Sequence, residues 1–143
     1  MFLHMLGNVA FIYWIGVHIE RRFGILVLLS VYFIGGLAGQ SASVLFNPTL
    51  VTSGASQALC SLAGFLFVRL PQFWPRSKSA FFAVLLFLAT QAGLDLYFAA
   101  RLKEGHTFGF LAGAVMGLGM FLLSRRSMPN PTVRRSRSPR GEP

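Results

Sequence analysis

Five apolar runs of 17 to 23 residues take up most of this 143-residue chain and leave few options for its fold. They are Phe2–His18, Gly24–Phe46, Gly54–Leu70, Ser79–Ala99 and His106–Ser124. Crossing about 30 Å of hydrocarbon at about 1.5 Å per residue takes roughly 20 residues, so each run is long enough, or nearly so, to span a bilayer. A helix satisfies its backbone polar groups internally in lipid, which makes all-α the expected class. The joins are short and punctuated by Arg, Gly, Pro, Asn or Ser, as between antiparallel neighbours. With 54% hydrophobic and 12% charged residues, the chain is too apolar for an ordinary soluble domain. The expected architecture is a polytopic transmembrane helix bundle over residues 1–124. A basic Pro/Ser/Arg-rich tail, residues 125–143, reads as disordered.

Charge sets the expected direction of the spans. Of the 13 Lys and Arg residues, 11 follow the first, third and fifth runs or lie in the tail. The opposite side carries only Arg101 and Lys103, near Asp95 and Glu104, and the Asn47–Ser53 loop has no charge. By the positive-inside rule the crowded side is cytoplasmic. The tail continues directly from an apolar span, so its arginines suit anionic membrane lipid, and no nucleic-acid partner is expected. The three histidines and the one cysteine, Cys60, are scattered over four segments and form no metal-ligand cluster. No cofactor is expected.

Runs one, three and five then begin on the same, non-cytoplasmic side. That brings His4, Asn8, Ser56 and His106 to similar depth on three helices. The third run is short, about 22 Å from Ser56 to Leu70, so its outer end should stop within the bilayer and the Asn47–Ser53 loop should dip inward. Polar side chains at that depth call for an explanation. A serine hydroxyl becomes a nucleophile when a base takes its proton, and histidine is the usual base near neutral pH. His4 and Asn8, four apart, share one helix face and can aim donors at a developing oxyanion, with the Ser56 backbone N–H as a third. Asp95 and Glu104 lie near the outer surface, and neither is read as reaching the base, so a Ser-His dyad is expected. No charge is read as lying within any span, so no ion path through them is expected. Gly105, Gly109, Gly113 and Gly117 recur every fourth residue and offer the fifth helix a smooth face. Ala58, Ser61 and Gly64 do the same for the third.

Three motifs, in order and spacing, resemble those of the rhomboid family of intramembrane serine proteases. His4-Met5-Leu6-Gly7-Asn8 is similar to the family's H-x-x-x-N in its second membrane helix. Gly54-Ala55-Ser56 is similar to the G-x-S of the fourth, and His106-Thr107-Phe108-Gly109 with Gly113 to the H-x-x-G-x-x-x-G of the sixth. Gly16 to Gly24, with Glu20 between, resembles the segment that closes the second helix. The resemblance covers nearly all of residues 1–124. It implies five spans of a six-span core, Ser56 as nucleophile, His106 as base, and His4 and Asn8 as oxyanion donors. It also implies Gly54, Gly109 and Gly113 in helix packing. The implied substrates are single-pass membrane proteins, cut within or beside their spanning helix without metal or cofactor.

The chain departs from that pattern in three places. Gln57 follows the serine where the family usually has glycine, and it either crowds the helix contact or donates a hydrogen bond of its own. Cys60 stands where the family often has a tyrosine beneath the histidine ring. The family's first helix and its loop do not precede His4, and the recorded start is read as late. The alternative reading is a catalytically impaired rhomboid-like protein that binds client helices without cleavage. Substrate identity and oligomeric state are not legible in these residues.

Overall fold

A computed structural model of the chain describes residues 2–48, 55–72, 78–99 and 102–126. The described residues form five α-helices: α1 Phe2–Phe23, α2 Ile25–Phe46, α3 Ala55–Arg69, α4 Lys78–Ala99 and α5 Glu104–Arg126. A single 3₁₀ turn, Leu70–Gln72, continues α3. The five expected runs become these five helices, with several ends displaced by one to five residues. Helix α1 continues five residues past His18, through Glu20, Arg21 and Arg22, before Gly24 breaks it. Gly24 has φ 89°, a backbone state that side-chain-bearing residues avoid, and this lets α2 start one residue later. Helix α5 starts at Glu104, because the Lys103 carbonyl already accepts from the N–H groups of His106 and Thr107.

Three of the helices, α2, α4 and α5, are long and apolar enough to cross a membrane. Helix α3 differs: it has 15 residues, and every one from Ser56 to Leu66 is buried. A helix covered on all sides belongs at the centre of a bundle, and α3 touches each of the other four. Its Leu59, Leu62, Phe65 and Leu66 form the core with Ile15 and Ile19 of α1, Val31 of α2, and Val84 and Phe87 of α4. The outer helices turn Leu26, Phe33, Leu37, Leu45, Leu85, Leu96, Val115 and Leu123 outward. Large apolar side chains exposed around a whole bundle are what lipid, rather than water, would cover.

Helices α3 and α5 make the closest approach, and the glycines are the reason. A Cβ on Gly109 would overlap the Gln57 carbonyl, one on Gly113 the Ser61 carbonyl, and one on Gly117 would lie 2.9 Å from the Phe65 carbonyl oxygen. From Gly109 on, the expected stripe thus meets the α3 backbone turn by turn, while Gly105 faces Ser43 and Gly39 of α2 and the Gln57 amide. Gly64 returns the contact, facing the carbonyl of Phe110. The small residues of α3 also serve α2: Ala58 faces Gly36, and Ser61, backed on Gly35, donates to the Val31 carbonyl at 2.9 Å. Gly54, the Asn47–Ser53 loop from residue 49 on, for which an inward dip is expected, and the tail from residue 127 on lie outside the described residues.

Side-chain pairs show which helix ends share a level. Asn47, at the end of α2, donates to Glu104 at the start of α5 at 2.9 Å. At the other end, the ring of Phe23 (end of α1) meets Phe65 of α3 edge-on at 5.2 Å. Consecutive helices therefore run in opposite directions, and the starts of α3 and α5 lie at one end of the bundle.

Candidate active site

Ser56 lies in the first turn of α3 and is 6% exposed. His106 lies in the first turn of α5. The glycine contacts described above hold these two turns together, and Ser56 Oγ is 2.9 Å from His106 Nε2. The expected serine–histidine juxtaposition is therefore present at hydrogen-bond distance, 50 residues apart in sequence.

The acid is where the sequence reading differs from the structure. Asp95 does reach the base: its Oδ2 lies 2.7 Å from His106 Nδ1, and its side chain is 2% exposed. Neither the expected dyad nor the absence of a charge inside the spans holds, because Asp95 is buried within α4. One turn from the end of α4, it sits at the level of the first turn of α5. A carboxylate there accepts a hydrogen bond from Nδ1–H, leaving Nε2 as the acceptor for the serine hydroxyl. Asp95 is itself held. The Lys103 backbone N–H donates to Oδ2 at 3.1 Å, and Gln91 Nε2 donates to Oδ1 at 3.4 Å. The Lys103 ammonium lies 3.9 Å from Oδ1. Gln91, one turn before Asp95, also comes within 3.3 Å of the imidazole Nδ1. The second acid, Glu104, instead joins α5 to α2 through Asn47.

Asp95 and Gln91 were missed because the imidazole they face, His106, is on another helix, and spacing along α4 does not encode it. The available signal was a lone acid within an apolar span, one turn from its end, which is costly unless paired.

His4 and Asn8 stay together on α1, with Asn8 Nδ2 at 3.4 Å from His4 Nε2. They continue, toward the site end, the stripe of α1 that packs through Ile12, Ile15 and Ile19. His4 is exposed and Asn8 half-buried. Among the described residues neither hydrogen-bonds to Ser56 or His106.

Gln57 resolves toward the second of its two expected outcomes. It is 3% exposed and donates from Nε2 to Ser43 Oγ of α2 at 3.0 Å. Room for it comes from α2 and α5. A Cβ on Gly39 would lie 2.9 Å from Gln57 Cβ, and one on Gly105 would lie 2.6 Å from Gln57 Nε2. The amide therefore fills the α2–α3–α5 junction without separating the helices. Its Oε1 has no hydrogen-bond partner. Gln57→Ala is expected to lower stability by about 1–3 kcal/mol, through one lost hydrogen bond and a small cavity, read as a lower Tm in detergent. The Ser56–His106 contact should persist. Cys60 is 2% exposed in the core, and the imidazole is held from the α4 side by Asp95.

The fold and this end of the bundle define a polytopic helical membrane protein with hydroxyl, imidazole and carboxylate in hydrogen-bond sequence. Comparison with known proteins gives the family. The Rhomboid domain profile matches residues 1–123, and the chain belongs to the rhomboid family. It is similar to RHOMBOID-like protein 5 of Arabidopsis thaliana, 31% identical over 134 residues, which cover 91% of this chain and 43% of that protein. It is also similar to Rhomboid-like protease 3 of Toxoplasma gondii, 25% identical over 118 residues, covering 82% of this chain and 45% of that protein. RHOMBOID-like protein 2 of Arabidopsis thaliana is 31% identical over 118 residues, 80% of this chain and 37% of that protein. The chain thus spans less than half the length of these relatives. No solved structure matches significantly.

Proposed function

We propose that the chain is an intramembrane serine endopeptidase, cleaving membrane proteins within or beside their spanning segments. The observation that carries this reading is the Ser56–His106–Asp95 relay, at 2.9 and 2.7 Å, at one end of a membrane bundle. Family membership and a relative named as a protease support it.

In the proposed reaction, Ser56 Oγ attacks the scissile carbonyl and its proton passes to His106 Nε2. Asp95 stabilises the resulting imidazolium without itself being protonated. The oxyanion accepts hydrogen bonds from the Ser56 N–H and from His4 and Asn8, each worth most if aimed in advance. His106 then returns the proton to the leaving amine, which departs and leaves an acyl-Ser56 ester. A water, deprotonated by His106, hydrolyses that ester and regenerates the hydroxyl. No metal or cofactor enters. The basic end, with Arg21, Arg22, Arg69 and Arg125, faces the cytoplasm in this reading, and the site opens toward the other side.

The protein reconstituted in liposomes with single-pass clients of varied sequence is expected to cut at least one of them within or next to its span. Cut sites would be mapped by mass spectrometry of the fragments. Folded protein that cuts none of a broad panel contradicts the reading. A second expectation concerns the acid. Asp95→Asn should lower kcat about 10²- to 10⁴-fold with KM little changed, since it disturbs the tautomer and the imidazolium rather than client binding. An unchanged kcat would remove Asp95 from the mechanism.

A further inference from the structure

At the end of the bundle opposite the site, one buried cation has two nitrogens without a hydrogen-bond partner among the described residues. Arg69, in the last turn of α3, is 5% exposed, and its Nε and Nη1 have no hydrogen-bond partner. What surrounds it is aromatic: the guanidinium carbon lies 4.9 Å from the centre of the Phe23 ring and 5.8 Å from that of Phe121. Such faces attract a cation but leave its N–H groups unsatisfied. A second guanidinium, Arg125, lies over the other partner of this pair, 4.4 Å from the Phe121 centre. Two arginines thus share one ring at the foot of α3 and α5.

Directly along the helices from this pair runs an apolar cleft of about 240 Å³ between α2, α3 and α5. Val27 and Val31 line one wall, Phe65 the floor, and Met116 and Met120 the other wall. The register ties the cleft to the arginines. Phe65 is four residues before Arg69, so both lie on one face of α3. Met120 adjoins Phe121, which lies four residues before Arg125. Phe65 also touches Phe23, the ring on which Arg69 rests. Phe65 on the cleft floor is thus one turn from Arg69, and Met120 on its wall is five residues from Arg125.

We propose that this cleft and the Arg69–Arg125 pair form a site for one phospholipid, with an acyl chain between Val31, Phe65 and Met116 and its phosphate on Arg69. A phosphodiester supplies several acceptor oxygens on one charge, which suits two guanidinium groups better than a point acceptor does. The charge selects for an anion, and the apolar cleft beside it selects for a lipid over a free one. Bound there, the lipid bridges α2 to α5.

The test is native mass spectrometry of the full chain in mild detergent, titrated with dioleoyl phosphatidylglycerol. Parallel titrations use the matching diacylglycerol, and inorganic phosphate serves as competitor. One lipid is expected to bind ahead of the rest. That first affinity should fall about 10- to 100-fold in Arg69→Gln and for the phosphate-free diacylglycerol, as expected for lost hydrogen bonds to a charged group. Met116→Trp, which blocks the cleft and keeps both charges, should weaken it as well; this variant carries the test if Arg69→Gln does not fold. Binding unchanged in the folded variants, or no distinct first lipid in wild type, overturns the proposal. So does displacement by millimolar phosphate, which would mark a small-anion site instead.

Discussion

Ser56→Ala and His106→Ala are each expected to reduce client cleavage by about 10⁴-fold or more, to the background of the assay. The two losses should be nearly equal, and the double variant should be no worse than either. That non-additivity follows from the geometry. With Oγ and Nε2 2.9 Å apart, the hydroxyl and the ring act as one unit, and removing either leaves nothing for the other to activate. Two merely structural groups would instead lose stability by separate amounts. Helical content should stay close to wild type in both variants; Tm should do so in Ser56→Ala, which removes little volume, and fall in His106→Ala, which takes a donor from the buried Asp95 carboxylate. Residual cleavage above background in Ser56→Ala would assign the nucleophile elsewhere.

Gly113→Val is expected to have the largest effect on the fold itself. A side chain at Gly113 would be driven into the carbonyl of Ser61, with its Cβ 2.8 Å from Ser61 Cα. The obstacle is backbone in the middle of two helices, so it cannot rotate away, and α5 must separate from α3. Overpacking of this kind costs about 3 kcal/mol or more. The separation also carries His106 away from Ser56, so activity should fall together with Tm. Gly119, on the same helix, has open space around its missing side chain. Gly119→Ala is thus expected to be neutral or to stabilise by up to about 1 kcal/mol through helix propensity. Thermal melts of the two variants in one detergent compare close packing with composition directly. Equal melts would show that the glycine stripe has no packing role.

The contrast between these positions shows what can be read from the chain alone. Five helices follow from run length, and the α3–α5 contact from glycines repeating every fourth residue, because both are periodicities within one segment. Ser56 and His106 could be paired because charge asymmetry put the starts of two spans at one end. Asp95 could not be found this way. Its distance to His106 depends on how α4 leans toward α5, and on Lys103 and Gln91 fixing the carboxylate. The fate of Gln57 was hidden for the same reason. Whether a bulky amide after the serine crowds the bundle is decided by Gly39 and Gly105, on two other helices. Residues on one helix disclose which face is small; they do not disclose what meets it.

The relay also bears on why a serine near a helix start differs from a helix cap here. A capping hydroxyl accepts from backbone N–H groups of its own first turn. Ser56 has an imidazole at hydrogen-bond distance instead, and that imidazole is fixed at its far nitrogen by a buried carboxylate. Burying that carboxylate is favourable only with its donors in place, and the Lys103 N–H, the Gln91 amide and the ring supply them. The arrangement therefore presents an acceptor nitrogen toward the hydroxyl, which is what an activated nucleophile requires.

The most direct measurement of this account is reaction of the purified, folded wild-type chain with a fluorophosphonate, followed by mass spectrometry of its peptides. Activated serines react with this probe and capping serines do not. The account predicts one adduct, on Ser56, formed far more slowly in Asp95→Asn and absent in His106→Ala. Folded wild type that stays unlabelled, or an adduct confined to another residue, would contradict it.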